Sequence, residues 1–211
     1  MRIGIIGAGD VAQAFARKAI DAGHHVVFSN SRGKESLAPV IAKFGAAAAA
    51  AAPAEAVENP IVLLAVPWVK AEASLHALPA WHGQILIDPT NGFGQDGLVD
   101  FGAGSSSETV AALAPGARVV KAMNAIFMTN FAKDPASGGF RRALFISGDD
   151  RGAKAEIADL FESFGFAPVD LGTLQKGGRI QAVGTTLAGH DLFLPYPAPR
   201  SFPAFNGETP E

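Results

Sequence analysis

"RIGIIGAGDVAQAFARKAI", Arg2 to Ile20, is a short apolar run that stops on glycines and opens into residues of helical periodicity. Within it, Gly7-Ala8-Gly9-Asp10-Val11-Ala12 is the G-x-G-x-x-A form of the dinucleotide fingerprint. Gly7 permits the tight strand-to-helix turn, and Gly9 lets the backbone approach a pyrophosphate. Ala12 keeps the helix close to the sheet, while Ala8 to Val11 offer the free N–H groups and positive dipole of a helix start. The hexapeptide is weak evidence by itself; its place after a strand and before a helix makes it a dinucleotide loop.

Outward from this loop, β-rich apolar runs alternate with amphipathic stretches of helical length. That alternation predicts an α/β fold: a doubly wound, mostly parallel Rossmann-type sheet with a small C-terminal extension. Strands are expected at 2–7, 25–29, 60–66, 84–88, 117–122, 142–147 and 167–170. Helices are expected near 10–22, 35–44, 68–77, 105–114, 150–164 and 174–190. The seven alanines from Ala46 to Ala52 suit a helix by propensity. Alternation instead requires a short edge strand at Ala46–Ala50, followed by a turn of helix at Pro53–Glu58. Residues 1–148 read as an NADP-binding Rossmann domain, and 149–192 as a small α/β portion closing its crevice. Residues 193–211 form a proline-rich, aromatic tail whose first half should lie extended on a surface, that of a partner subunit included.

The end of the second strand, "VVFSNSRGKE", names the dinucleotide. An Asp or Glu usually sits about 20 residues beyond the glycines and accepts hydrogen bonds from the adenosine ribose. Here that place holds Asn30, followed by Ser31, Arg32 and Lys34. A carboxylate would repel a 2′-phosphate, whereas an amide, a hydroxyl and a guanidinium donate to one. The expected cofactor is therefore NADP(H); the competing reading is a solvated polar turn.

Three further strand ends carry polar or flat residues where ligands bind in such sheets. "IVLLAVPWVKA" is halted by Pro67, so that Ala65, Val66 and Pro67 line a nicotinamide end and Trp68 offers an aromatic wall. "ILIDPTNGFG" brings Asp88, Thr90 and Asn91, and "VVKAMNAIF" brings Lys121, Ala122, Met123 and Asn124 to the same crevice. Asn124 presents both a donor and an acceptor, able to hold an imide edge or a quinone oxygen. No residue stands out as a catalytic acid or base. The only tyrosine, Tyr196, lies between prolines, which excludes a Tyr-x-x-x-Lys dehydrogenase. His24, His25, His76 and His82 fall away from the crevice, and no histidine–carboxylate spacing suggests a metal.

Composition narrows the classes. With 48% hydrophobic and only 18% charged residues, the 211-residue chain buries one sizeable core. A net charge of -3 gives no footprint for nucleic acid. Neither a signal peptide nor a span-length apolar run is legible, so no membrane is expected and the cytoplasm is. The absence of cysteine removes thiol chemistry and fits a reducing compartment.

Taken together, "GIIGAGDVA", "SNSR", "VLLAVPW", "IDPTN", "VVKAMNAI" and "DLGTLQKGGRIQAV" make the chain, over about Met1 to Leu192, resemble the NADP oxidoreductases dependent on coenzyme F420 and their relatives of unassigned substrate. The cytoplasmic domains of metalloreductases are also similar. The resemblance implies a homodimer and hydride transfer between NADPH and a flavin-like acceptor, with coenzyme F420 or a flavin as co-substrate. It places the pyrophosphate at Ala8 to Val11 and the 2′-phosphate at Asn30, Ser31 and Arg32. One position departs: deazaflavin-using members share a histidine where this chain has Asn124. Two other classes stay open. One is a non-catalytic NADPH-binding sensor or assembly protein. The other is a small-carbonyl or imine dehydrogenase with Lys121 as proton donor, disfavoured because only about 40 residues follow the last strand.

Overall fold

The computed structural model describes residues 1–196. The chain lays down β1 (Arg2–Ile6), α1 (Asp10–Asp21), β2 (His25–Ser29), α2 (Ala38–Ile41), β3 (Ala48–Ala50), α3 (Pro53–Ala56), β4 (Ile61–Leu64), α4 (Trp68–His76) and β5 (Ile85–Asp88). A small hairpin, β6 (Phe93–Gly94) with β7 (Gly97–Leu98), precedes α5 (Ser106–Leu113), β8 (Arg118–Ala122), α6 (Met128–Phe131) and β9 (Ala136–Ser137). Then come β10 (Phe140–Gly148), α7 (Arg151–Ser163), β11 (Ala167–Asp170), α8 (Leu174–Ile180) and β12 (Phe193–Pro195).

The main sheet has the order β11-β10-β8-β5-β4-β1-β2-β3. Strands from β8 to β3 run parallel, and β10 turns antiparallel against β8 with Ile146 opposite Ala122. The fold is thus the expected mostly parallel, Rossmann-type sheet. Both faces are covered. One holds Phe15, Phe28, Ile87, Phe131, Ile157 and Phe161; the other holds Leu64, Leu75, Trp81, Val110 and Leu174. Spacing explains the helices: Ala12, Phe15, Ala16 and Ala19 of α1 are buried on one stripe, as are Ala153, Ile157, Leu160 and Phe161 of α7. Caps fix where helices begin. Ser105 and Glu108 close a capping box on α5, and Asp150 accepts from Ala153 N at 2.7 Å on α7.

Three expectations need correction. The helix expected near 35–44 is a 3-10 turn, Lys34–Leu37, followed by the single turn of α2. The edge strand in the alanines begins later, at Ala48, after a 3-10 turn at Gly45–Ala47. The last helix ends at Ile180 rather than near 190, because Gly184 and Gly189 adopt positive φ and break the path into turns. His190 consequently lies exposed beyond those turns. β9, α6 and the strands of the β6–β7 hairpin, each of four residues or fewer, are too short to leave a periodic pattern in the sequence. Past the turns, β12 pairs with β10, and Arg142 secures it by meeting Asp191 at 2.6 Å and lying over the Phe193 ring. Residues 197–211 of the proline-rich tail lie outside the described residues.

Candidate functional site

All the parallel strands end along one edge, so topology gathers the residues that sequence had singled out one by one. Gly7 leaves β1 with φ 112° and touches the Ala65 backbone, where a side chain has no room. Gly9 is the opposite case: it caps α1, and a Cβ built on it would meet nothing within 4 Å. The helix start has no side-chain cap, leaving the first N–H groups pointing at that open space. Gln13 braces the loop from behind by donating to Ala8 O at 2.9 Å. Asp10 and Val11 sit in the first turn, and Ala12 is fully buried against the sheet.

At the end of β2, Asn30 Oδ1 accepts from Arg32 N at 2.9 Å, and Asn30 Nδ2 donates to Ser36 Oγ at 2.9 Å. Ser36 in turn donates to Gly33 O at 2.7 Å, which closes a compact polar turn. Ser31 and Arg32 are exposed on it, and the Arg32 guanidinium has no acidic partner among the described residues. Lys34 differs from the reading of a free second cation. Its ammonium is held 2.9 Å from both oxygens of Glu55 at the start of α3. The hydrogen bond from Lys34 holds the Glu55 carboxyl below its usual range. Ser36 and Glu55 were missed by sequence reasoning, since only the folded turn and the neighbouring helix bring them in.

At the centre of the edge, Ala65 and Val66 are half-buried and Pro67 is exposed. Trp68 begins α4 and packs edge-on against Phe101, ring centroids 5.4 Å apart. Between the loops that follow β5 and β8 opens a groove of about 400 Å³, bordered by Asn91, Asn124, Ile126, Phe127, Met128 and Val183. Asn124 is buried; its Nδ2 donates to Gln181 O at 2.8 Å and to Asn91 Oδ1 at 3.1 Å. Both of its donors are thus consumed within the protein, and only Oδ1 is left without a partner. That corrects the expectation of a two-way amide.

Three further residues sit elsewhere than expected. Met123 adopts φ 66°, a strained value for a side chain, and that turn delivers its thioether into the core instead of the groove. Ala122 is likewise core. Lys121 is fully buried on the other face of the sheet, so it cannot serve as proton donor in the crevice. Its ammonium donates to Thr90 O (3.0 Å), Ser106 Oγ (2.9 Å) and Ser107 Oγ (3.0 Å), with Asp88 Oδ2 at 3.7 Å. Burial pushes its pKa down, and Asp88 pulls against that. Asp88 also takes Thr90 N, Thr90 Oγ1 and Ser107 Oγ, so these polar residues form a closed interior network. Among the described residues no cluster of His, Asp or Glu is placed to hold a metal ion, and no helix is long and apolar enough to cross a membrane.

The open cradle at Gly9, the uncapped start of α1 and the unpaired Arg32 fit a phosphorylated dinucleotide laid across the edge of the sheet. Fold and edge together define a Rossmann-type oxidoreductase that uses NADP(H). Comparison with known proteins agrees. Residues 2–92 match the family model described as NADP oxidoreductase, coenzyme F420-dependent. A hypothetical protein from Sinorhizobium meliloti superposes with a TM-score of 0.84 at 38% identity, over 91% of this chain and 95% of that one. A provisionally assigned F420-dependent NADP-reductase from Arthrobacter sp. superposes with a TM-score of 0.77 at 25% identity, over 91% of this chain and 99% of the other. Metalloreductase STEAP3 of Rattus norvegicus is 29% identical over 183 residues, 86% of this chain but 36% of that protein. The chain thus spans about a third of the length of the curated metalloreductases it matches. It belongs to the family of coenzyme F420-dependent NADP oxidoreductases.

Proposed function

We propose that this protein is an NADPH-dependent reductase passing a hydride to a flavin-like or deazaflavin ring. One observation carries the reading: none of the residues bordering the groove beside the nicotinamide end is titratable. Reduction of a carbonyl needs a positioned proton donor, and the one lysine near in sequence, Lys121, is sealed under the opposite face. Bound NADPH supplies a hydride, and a ring acceptor takes that electron pair with a proton from solvent, no protein acid being obligatory.

The chain's own part is to bind and orient. Amides from Ala8 to Val11 receive the pyrophosphate at the start of α1. Asn30, Ser31 and Arg32 receive the 2′-phosphate, with Lys34 in reach of it once released from Glu55. Ala65 to Pro67 floor the nicotinamide end. Asn91, Phe127, Met128 and Val183 enclose the second ring, exclude water and hold it parallel to the first.

NADPH oxidation, followed by absorbance with a panel of flavins, deazaflavins and quinones, tests the reading. Turnover with at least one isoalloxazine or deazaflavin is expected. Tight NADPH binding with no oxidation by any of them would instead favour a non-catalytic NADPH-binding role.

A further inference from the structure

Ala8 is the residue between the two glycines of the loop, and the way its peptide faces decides what the loop can hold. Gln13 Nε2 donates to Ala8 O at 2.9 Å, and Gln13 N donates to Gly9 O at 3.0 Å. A trans peptide unit points its C=O and its N–H in opposite directions, so tying Ala8 O to Gln13 turns the Gly9 N–H away from Gln13. Gly9 borders open space, and no acceptor among the described residues takes its N–H. A half-turn of the Gln13 amide would set its oxygen against Ala8 O and undo this. Lys43 opposes that half-turn: its Nζ donates to Gln13 Oε1 at 2.8 Å, where an inverted amide would present a second donor. Lys43 is itself laid along α1. Its carbonyl accepts from Arg17 Nη2 at 3.1 Å, one turn after Gln13, and the Arg17 guanidinium lies 4.6 Å from the centre of the Phe44 ring.

Building on the reading above that Ala8 to Val11 receive the pyrophosphate, we propose that Lys43 is a positioning residue for it. Through the Gln13 carboxamide, Lys43 fixes the Ala8–Gly9 peptide with its N–H turned toward the phosphate oxygens. The lysine lies 30 positions beyond the glutamine it orients, and it touches neither the loop nor the ligand. Its bond to Gln13 is exposed, so the effect is modest in size but specific in kind. NADPH and NADH share the pyrophosphate, so the relay supports both alike, unlike Arg32, which meets only a 2′-phosphate. A lysine acting by its charge alone would instead favour NADPH, the more negative of the two.

Fluorescence titration of NADPH and of NADH against Lys43→Met, Gln13→Leu and the double variant tests the relay. Lys43→Met should weaken both cofactors by the same factor, about three- to tenfold, with their ratio held within about twofold. Gln13→Leu should weaken both at least as much. Adding Lys43→Met to it should change either affinity by less than about twofold, because the lysine then has nothing to act through. Melting temperatures of all three variants should stay within about 2 °C of the unmutated protein, as exposed contacts allow. Unchanged affinity in Lys43→Met, a loss confined to NADPH, or a full further loss on top of Gln13→Leu overturns the relay and leaves the cofactor reading standing. A loss of affinity that comes with a larger fall in melting temperature also overturns it, since that is what a merely structural contact gives. Failure of the unmutated protein to bind either dinucleotide, or undiminished binding by Gly9→Val, overturns the pyrophosphate reading and the relay together.

Discussion

Arg32 is exposed on the turn after β2, and nothing acidic among the described residues neutralises it. A guanidinium so placed gains a forked, charge-assisted contact only from a dinucleotide with a 2′-phosphate. Arg32→Ala should therefore cost NADPH about 2 kcal/mol, roughly thirtyfold in Kd, and leave NADH nearly untouched. Equal affinities for the two cofactors in the unmutated protein would refute the assignment. Lys34 carries a second, opposite expectation. Glu55 occupies its ammonium with both oxygens, so a phosphate must compete with a carboxylate for it. Glu55→Gln should tighten NADPH by about two- to fivefold, the modest worth of an exposed ion pair, with less effect at high salt. A Glu55→Gln protein titrated by fluorescence and found unchanged, or weaker, would show that Lys34 plays no part. Asn30 and Arg32 were legible because their distance from the glycines sets their place at the end of β2. Ser36 and Glu55 were not, because a turn and a separate helix bring them in.

Within the strand-loop-helix unit of β1 and α1, two glycines of one motif answer to different constraints. At Gly7 the backbone has positive φ, and a Cβ would be driven into the Ala65 carbonyl, so Gly7→Ala should destabilise the fold by about 3 kcal/mol or more. At Gly9 the space is open, so Gly9→Val should fold and melt as the unmutated protein does while binding neither NADPH nor NADH. Thermal melts paired with cofactor titrations separate the two outcomes; a Gly9→Val protein that still binds would reduce the loop to a mere turn. Elements such as α1 and α7 were legible from their apolar stripes, and α7 also from its Asp150 cap. Where a helix lacks such a stripe, the sequence misleads. "LQKGGRIQAVGTTLAGH" has a run of plausible helix, yet α8 stops at Ile180, and its glycines serve other ends. Gly177 and Gly178 let it seat closely over Ser147, Ser105 and Lys121. From there the chain turns back across the edge, and Gly189 N reaches Ala125 O at 2.7 Å beside the groove.

Across the whole molecule, the two faces of the sheet have divided the work. The edge carries the candidate binding site, and the face under α5 and α8 carries a buried ion pair whose residues were expected in the crevice. The error has a physical source: β8 is buried on both faces, so its residues show no polar-apolar alternation to tell which way Lys121 points. Sealed among Asp88, Thr90, Ser106 and Ser107, Lys121 ties the loop after β5 to the start of α5 and lies beneath α8. Removing one partner of such a pair strands the other charge, so Lys121→Met should cost about 3 kcal/mol or more in urea unfolding. Asp88→Asn should also destabilise, since a lysine is then left without its counter-charge. The double variant is the informative one. With both charges gone no ion is stranded, and the cost of Asp88→Asn with Lys121→Met should fall below the sum of the singles by at least about 1 kcal/mol. Strict additivity would mean that the two residues act separately, and that the polar interior beneath α8 is a set of local contacts rather than one network joining the binding edge to the body of the fold.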